Sequence, residues 1–303
     1  MTGDEIQLRD GLEASYILGD AITRGQFSTV YKCLYKGKIE RACRTYEKDK
    51  VNLNKVTKYL QEILQIVHPN LIRIYDGFQT PDEIHFITER VYGEELFERI
   101  VDLGHYSERE AASLIKDILS ALVCLHDKGI VHGDIRPESL IYSNEGHDGT
   151  LKLRDVSFSK WTPNTHATIF IAPEKGETPS IAGDMWSLGI VLYIMLCGIE
   201  PGAGEVFTEL VPGLSLPWWE DISKQAKEVI QRMLDLNPYS RLKADEAYQI
   251  PWVQGSVTQE HHLEAAVERL REFNAKAKFR VASKAVLATR KLSLPFLRRM
   301  ELR

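Results

Sequence analysis

Cysteine is scarce, with 4 in 303 residues. Cys33, Cys43, Cys124 and Cys197 stand singly within apolar runs. That spacing excludes a disulfide framework and a cysteine metal cluster, and the four read as reduced core residues of a cytosolic protein. Long apolar runs are lacking as well. The stretch 186–199 is strongly apolar but too short to span a bilayer, so it reads as a buried helix. The opening residues Met1-Thr-Gly-Asp-Glu5 show no basic segment followed by an apolar one, so a secretory signal is not expected and the expected location is cytoplasmic. A basic excess is also missing, the net charge being −5. It is unevenly spread: residues 269–303 carry eleven Lys/Arg against two Asp/Glu, a balance of +9 that leaves −14 on the other 268. A basic segment on an acidic body fits docking on that body or on an acidic partner. Its confinement to one segment argues against nucleic acid.

An apolar content of 44% over this length is ordinary for a globular chain and allows one large domain or two lobes. Residues 1–15 are polar and read as a flexible lead. Residues 16–35 read as strand, turn, strand, with β-branched and aromatic content in Thr29–Tyr35. Arg41-Ala-Cys-Arg-Thr-Tyr46 is a third strand. A helix is expected over roughly Asn54–Val67, then strands near Leu71–Phe78 and Glu83–Glu89. Ser107-Glu-Arg-Glu110 is a capping box. It opens a helix with Leu114, Ile115, Ile118, Leu119, Leu122 and Val123 at helical spacing, ended by Gly129. Further helices are expected at Ser223–Leu236 and Lys243–Tyr248.

Two stretches carry the chemistry. Ile130-Val-His-Gly-Asp-Ile-Arg-Pro-Glu-Ser139 and Leu151-Lys-Leu-Arg-Asp-Val-Ser157 each have the form of a short apolar strand that delivers an aspartate into a polar loop. The turn Ser143-Asn-Glu-Gly-His-Asp-Gly149 folds the second strand back beside the first. Two carboxylates so placed, Asp134 and Asp155, suit phosphoryl transfer: one orients a hydroxyl, the other holds magnesium on a nucleotide.

The first stretch resembles the protein-kinase catalytic loop H-R-D-L-K-P-E-N, with His132, Asp134, Pro137 and Glu138 matching. The second resembles D-F-G through Asp155. Ala172-Pro-Glu174 is similar to A-P-E, and Asp184-Met-Trp-Ser-Leu-Gly189 to the start of the next kinase helix. Arg241 matches the late arginine that pairs with the A-P-E glutamate. The resemblance covers residues 16–253. It implies an α+β, bilobal protein-kinase fold: a small antiparallel β-sheet lobe plus one helix at 16–92, and a large, mainly α-helical lobe at 93–254. Glu268–Phe279 with Leu287–Arg290 resembles the autoinhibitory and calmodulin-binding region of the calcium/calmodulin-dependent protein kinases. Residues 255–303 are therefore expected to be a C-terminal helical regulatory tail.

The resemblance also assigns sites. Gly25 and Val30 fall in the glycine-rich loop, with Thr23 and Ser28 where glycines are expected. Arg44 stands at the nucleotide-binding lysine, and Glu89 and Val91 lie in the hinge between the lobes. Tyr59 stands where the family carries a helix glutamate, so that ion pair is absent or replaced by an Arg44–Glu62 contact. Glu95, in Gly93-Glu-Glu-Leu-Phe97, either reads a basic residue on a peptide, as the resemblance implies, or belongs to a solvated acidic turn. Glu174 and Arg241 are expected to form a structural ion pair, and Asp184 to cap its helix. Ala167 replaces a threonine of the activation segment, and Ala266 a regulatory phosphothreonine. In the tail, Phe279, Val286 and Leu292 lie close to one helix face among lysines and arginines, which fits the acidic groove of calmodulin better than a membrane surface.

Gly133, Arg136, Ser139, Val156 and Ser157 depart from the catalytic pattern. Loss of one positioned electrostatic group costs about 3 kcal/mol of transition-state stabilisation. These departures imply a degenerate, pseudokinase-like regulatory or binding module. Its ATP binding would be weak and little dependent on magnesium, and its partner calmodulin or another protein. The two surviving aspartates imply the alternative, an active or weakly active Ser/Thr kinase that transfers the γ-phosphate of ATP to protein hydroxyls.

Overall fold

A computed structural model of the chain describes residues 8–25, 27–146, 148–157, 169–174, 179–201 and 217–279. Alternating β-branched and aromatic residues build β1 (Tyr16–Arg24), β2 (Ser28–Tyr35), β3 (Ile39–Glu47), β4 (Ile74–Gln79) and β5 (Glu83–Thr88). They form one antiparallel sheet in the order β1-β2-β3-β5-β4. One face carries Tyr46, Ile84 and Phe86 and is covered by α1 (Leu53–Ile63), through Val56, Tyr59, Leu60 and Ile63. The other face holds a smaller cluster of Leu12, Tyr16, Cys33, Cys43, Phe78 and Ile87. The alternation of a strand's side chains thus supplies two cores.

Three local readings change. The helix expected to reach Val67 ends at Ile63. The chain turns there, which buries Ile66 and leaves Val67 exposed. The strand expected from Leu71 starts at Ile74; Leu71 and Ile72 instead meet Leu153 of the large lobe. Residues 9–15, read as part of a flexible lead, are built in. The Arg9 N–H donates to the Gly77 carbonyl and the Gln79 N–H to that of Arg9, at 3.1 and 2.9 Å, and Leu12 is buried.

The large lobe is mainly helical: α2 (Leu96–Leu103), α3 (Glu108–His126), α4 (Ile181–Cys197), α5 (Lys224–Met233) and α6 (Ala244–Tyr248), with a two-stranded ribbon of β6 (Leu140–Tyr142) and β7 (Leu151–Leu153). Every residue of α4 from Asp184 to Cys197 is buried, as expected of a helix that is apolar on all sides. The lobes join at Tyr92 and Gly93, whose N–H groups donate to the carbonyls of Ser143 and Tyr142. A Cβ on Gly93 would lie 2.4 Å from the Asn144 carbonyl oxygen, so only glycine permits this approach. Among the described residues no helix is long and apolar enough to cross a membrane.

The segment after residue 255 is helical over 264–279. Leu263, Ala266, Val267 and Leu270 are buried in the same core as α3 and α4. Phe273 packs edge-on against Phe97, with ring centroids 5.6 Å apart. The Arg269 Nε donates to the Cys197 carbonyl at 2.6 Å, and Lys278 Nζ lies 2.7 Å from Glu98. Phe279 is exposed, and Val286 and Leu292 lie outside the described residues.

Glu108 is fully buried at the start of α3. Its carboxylate accepts from the Ser223 N–H, the Ser223 hydroxyl and the Trp252 indole at 3.0, 2.6 and 2.7 Å. Glu108→Ala strands all three donors. The expected loss is about 3 kcal/mol, read from urea unfolding; a loss under about 1 kcal/mol would show that water replaces the carboxylate.

Candidate active site

The catalytic-loop stretch is hung from one buried carboxylate. Asp184 lies in the first turn of α4, where short-range rules make an acidic residue a cap or a partner of the helix dipole. The cap is instead Ser180, whose hydroxyl accepts from the Gly183 N–H at 2.9 Å. Asp184 accepts from the N–H groups of His132 and Gly133 at 2.8 and 2.7 Å, and its Oδ2 lies 2.9 Å from His126 Nε2. The role of helix-start cap is therefore corrected: backbone donors of the loop outcompete the helix's own. Gly133 sits at φ +82°, a region that glycine enters without strain.

His132 carries the order onward. Its Nδ1 accepts from the Asp134 N–H at 3.2 Å, which leaves Nε2–H to donate to the Arg154 carbonyl at 2.8 Å. The Ser157 N–H donates to the His132 carbonyl at 2.7 Å, and the Ser157 hydroxyl to that of Val131. The two aspartate loops are thereby fastened together. Asp155 and Ser157 both take left-handed backbone, at φ +67° and +60°. For residues other than glycine each costs about 1–3 kcal/mol, held by the surrounding bonds.

Asp134 and Asp155 stand on loops bonded to each other, and their carboxylates have different partners. Asp155 meets Arg44, with Nη1 2.6 Å from Oδ1. Burial opposes the Arg44 charge, but the Asp155 carboxylate and Tyr46 together outweigh it and hold the guanidinium more firmly protonated than usual. The suggested Arg44–Glu62 contact is thus replaced by a pair across the lobes. Tyr59 fills the helix position, buried edge-on against Phe86 at 6.0 Å. Arg154 Nε lies 3.7 Å from Asp155 on its other side. Asp134 stands 3.5 Å from Arg136 Nε. Ser139 is buried, and its hydroxyl closes the loop by accepting from the Arg136 N–H and donating to the Arg136 carbonyl at 3.0 and 2.8 Å.

Between the lobes lies a cavity of about 300 Å³. Val30 and Ala42 line it from the sheet, Ile141 from the ribbon, and Thr88 to Val91 from the hinge, with Gly25, Arg44 and Asp155 at the polar end. Of the hinge residues, Glu89 is turned aside: Lys152 Nζ reaches its carboxylate at 2.9 Å. Arg154, Lys152 and Ile141 were not singled out in the sequence. The alternation Leu151-Lys-Leu-Arg marks the two basic residues only weakly, since both read as solvated. Away from the cleft, Arg241 forms two bonds to Glu174, at 2.6 and 2.8 Å, and stacks on Trp186 at 5.2 Å. No three metal-binding side chains cluster among the described residues. Magnesium does not require this, since it is held by one or two carboxylates plus phosphate oxygens. The apolar walls, the two arginines and the single Asp155 carboxylate thus suit a nucleotide with one such ion. Ala167 lies outside the described residues.

A profile described as the protein kinase domain matches residues 16–253. Calcium/calmodulin-dependent protein kinase type IV of Homo sapiens is 37% identical over 301 residues, which cover 94% of this chain and 64% of that protein. Calcium-dependent protein kinase 12 of Arabidopsis thaliana is 34% identical over 304 residues, covering 92% of this chain and 62% of that protein. The chain spans a little under two thirds of the length of these relatives.

Glu95, at the start of α2, pairs with Arg154 at 3.3 Å. Burial nevertheless pushes its carboxyl up to about 7, with Arg154 pulling the other way. A raised carboxyl binds its proton more tightly in the folded chain than in the unfolded one. It therefore stabilises the fold fully below the unfolded value of 4.5, and that contribution fades as pH rises through about 7. Relative to the wild type, Glu95→Gln is expected to flatten the fall in urea midpoint between pH 5 and pH 7.5; parallel pH profiles would show that Glu95 is freely solvated.

Proposed function

The chain belongs to the protein kinase domain family, and from that premise we propose that it is a serine/threonine protein kinase of the calcium/calmodulin-dependent kind. The observation that carries this reading is the joining of the Asp134 and Asp155 loops through His132 and Ser157, with Asp155 lining the cavity between the lobes. The names of the relatives support it. Bound ATP with magnesium supplies the γ-phosphoryl group and the charge that offsets its oxygens. Val30, Ala42 and Ile141 offer the apolar slot for a base, and the hinge backbone at Glu89 and Val91 its polar edge. Arg44 and Arg154 face the phosphate end, and Asp155 is the carboxylate for the ion. Asp134 orients the acceptor hydroxyl and takes its proton, while Arg136 beside it offsets developing charge.

One observation favours a second reading. Asp155 is already held by Arg44 at 2.6 Å, and the Ser139 hydroxyl is committed to Arg136, so a metal ion must compete for its ligand. In this reading the chain is a pseudokinase-like regulatory module with weak ATP binding. The two separate on transfer of labelled phosphate from ATP to protein. For the kinase, Asp134→Asn lowers the rate at least about a hundredfold. No transfer by the wild type, together with ATP binding unchanged by magnesium, would establish the module instead.

Calmodulin is the proposed regulator, from the basic tail and the name of the mammalian relative. A peptide of residues 269–303 is expected to bind calmodulin with calcium and not with chelator, and Phe279→Asp to weaken it at least about tenfold. Equal binding with and without calcium would remove calmodulin.

A further inference from the structure

Carboxylates stand just before and in the first turn of α2 and in the catalytic loop, and each is paired with a basic group of this same chain. Glu94 lies 3.5 Å from Arg99, Glu95 3.3 Å from Arg154, Glu98 2.7 Å from Lys278 and Glu138 3.9 Å from Arg136. These pairs differ in how firmly they are anchored. Lys278 is a long, exposed side chain on the tail helix, and leaves if that helix leaves. Arg154 belongs to the lobe itself, and its backbone is fixed. Its N–H donates to the Ser139 carbonyl at 2.9 Å, and its own carbonyl accepts from His132. Its guanidinium bridges Glu95 and Asp155, so it is aimed by two carboxylates at once.

A guanidinium so fixed competes with one on an incoming peptide. The internal group is present at the effective concentration of an intramolecular partner, far above any peptide in solution. Glu95 therefore has little to offer a partner's arginine, which would first have to break the Arg154–Glu95 pair.

We propose that Arg154 is a specificity-determining residue that occupies Glu95 from within the chain, so that the surface beside it takes hydroxyl-bearing protein segments without selecting basic ones. This rests on the reading of that surface as the seat of a partner segment, but not on phosphoryl transfer.

The test is fluorescence anisotropy with the full 303-residue chain at a pH above the Glu95 value of about 7, where its carboxylate is charged. The probes are labelled peptides with one serine and a single arginine placed in turn at each of the preceding positions, each with a glutamine counterpart. The wild type is expected to bind arginine and glutamine peptides within about twofold. Arg154→Gln, which removes the guanidinium charge and frees Glu95, is expected to gain about tenfold for arginine at one position, the range of a partly exposed charge pair. The double variant Arg154→Gln/Glu95→Gln is expected to lose that gain, which a merely structural role of Arg154 would not produce. A tenfold arginine preference in the wild type overturns the proposal. So does a folded Arg154→Gln protein, with wild-type unfolding temperature, that shows no new preference. Binding needs no catalysis, so a chain inactive with ATP would refute the kinase reading and leave this result standing.

Discussion

Asp184 sits at 1% exposure where α3, the catalytic loop and α4 meet. A lone carboxylate so buried would be costly; three donors compensate it, two of them backbone N–H groups of the loop. The arrangement works in both directions. The donors keep the charge tolerable, and the charge fixes the loop to about the accuracy of a hydrogen bond. Because α4 is buried on every side, Asp184 has no freedom to drift. His132 then passes the order to Asp134, Arg154 and Ser157, so the polar end of the cleft is positioned from the apolar centre of the lobe.

The charges of the cleft alternate along a line: Arg44, Asp155, Arg154, Glu95. Each carboxylate lies between or beside guanidiniums, and the line runs from the sheet to α2, tying the two lobes together. Pairs that are partly shielded from water attract more strongly than surface pairs, yet each ligand that enters must break some of them. The cleft is thus organised before any nucleotide arrives, and its rearrangement is part of the cost of binding. The left-handed backbone at Asp155 and Ser157 adds to what is held under tension there.

The fold was legible because its signals are local or strongly periodic. Capping at Ser107, the apolar run of α4 and the strand alternation of β2 and β3 need no partner to be read. The ribbon was legible only in part: β7 leads to Asp155, but its partner is Leu140–Tyr142 after the catalytic loop, and the stretch from Ile130 to Asp134, read as a strand, forms none. What could not be read was the choice of partner. Arg44 had carboxylates in reach from either lobe, and only the packed structure selects Asp155. Asp184 was misread for the same reason, since a helix-start rule knows only the helix and the winning donors come from a loop some fifty residues earlier. Arg154 and Lys152 escaped notice because a basic residue in a short strand looks solvated until its neighbour closes over it.

Gly198 ends α4 at φ +75°, and a Cβ there would lie 2.6 Å from the Ala266 carbonyl oxygen and from Arg269 Cβ. Backbone and tail helix touch through the missing side chain. Together with the burial of Ala266, Val267 and Leu270, this makes the first half of the helix a fixed part of the lobe, as hard to remove as any core helix. Beyond Leu270 the attachments become Phe273 on Phe97, one amide bond from Asn274 and one exposed lysine. Burying a phenylalanine is worth about 2 kcal/mol, so this outer half can open while the inner half stays closed. A regulator pulling on the tail would thus peel it from the far end and stop near residue 270, leaving a hinge in the helix with the lobe intact beneath it.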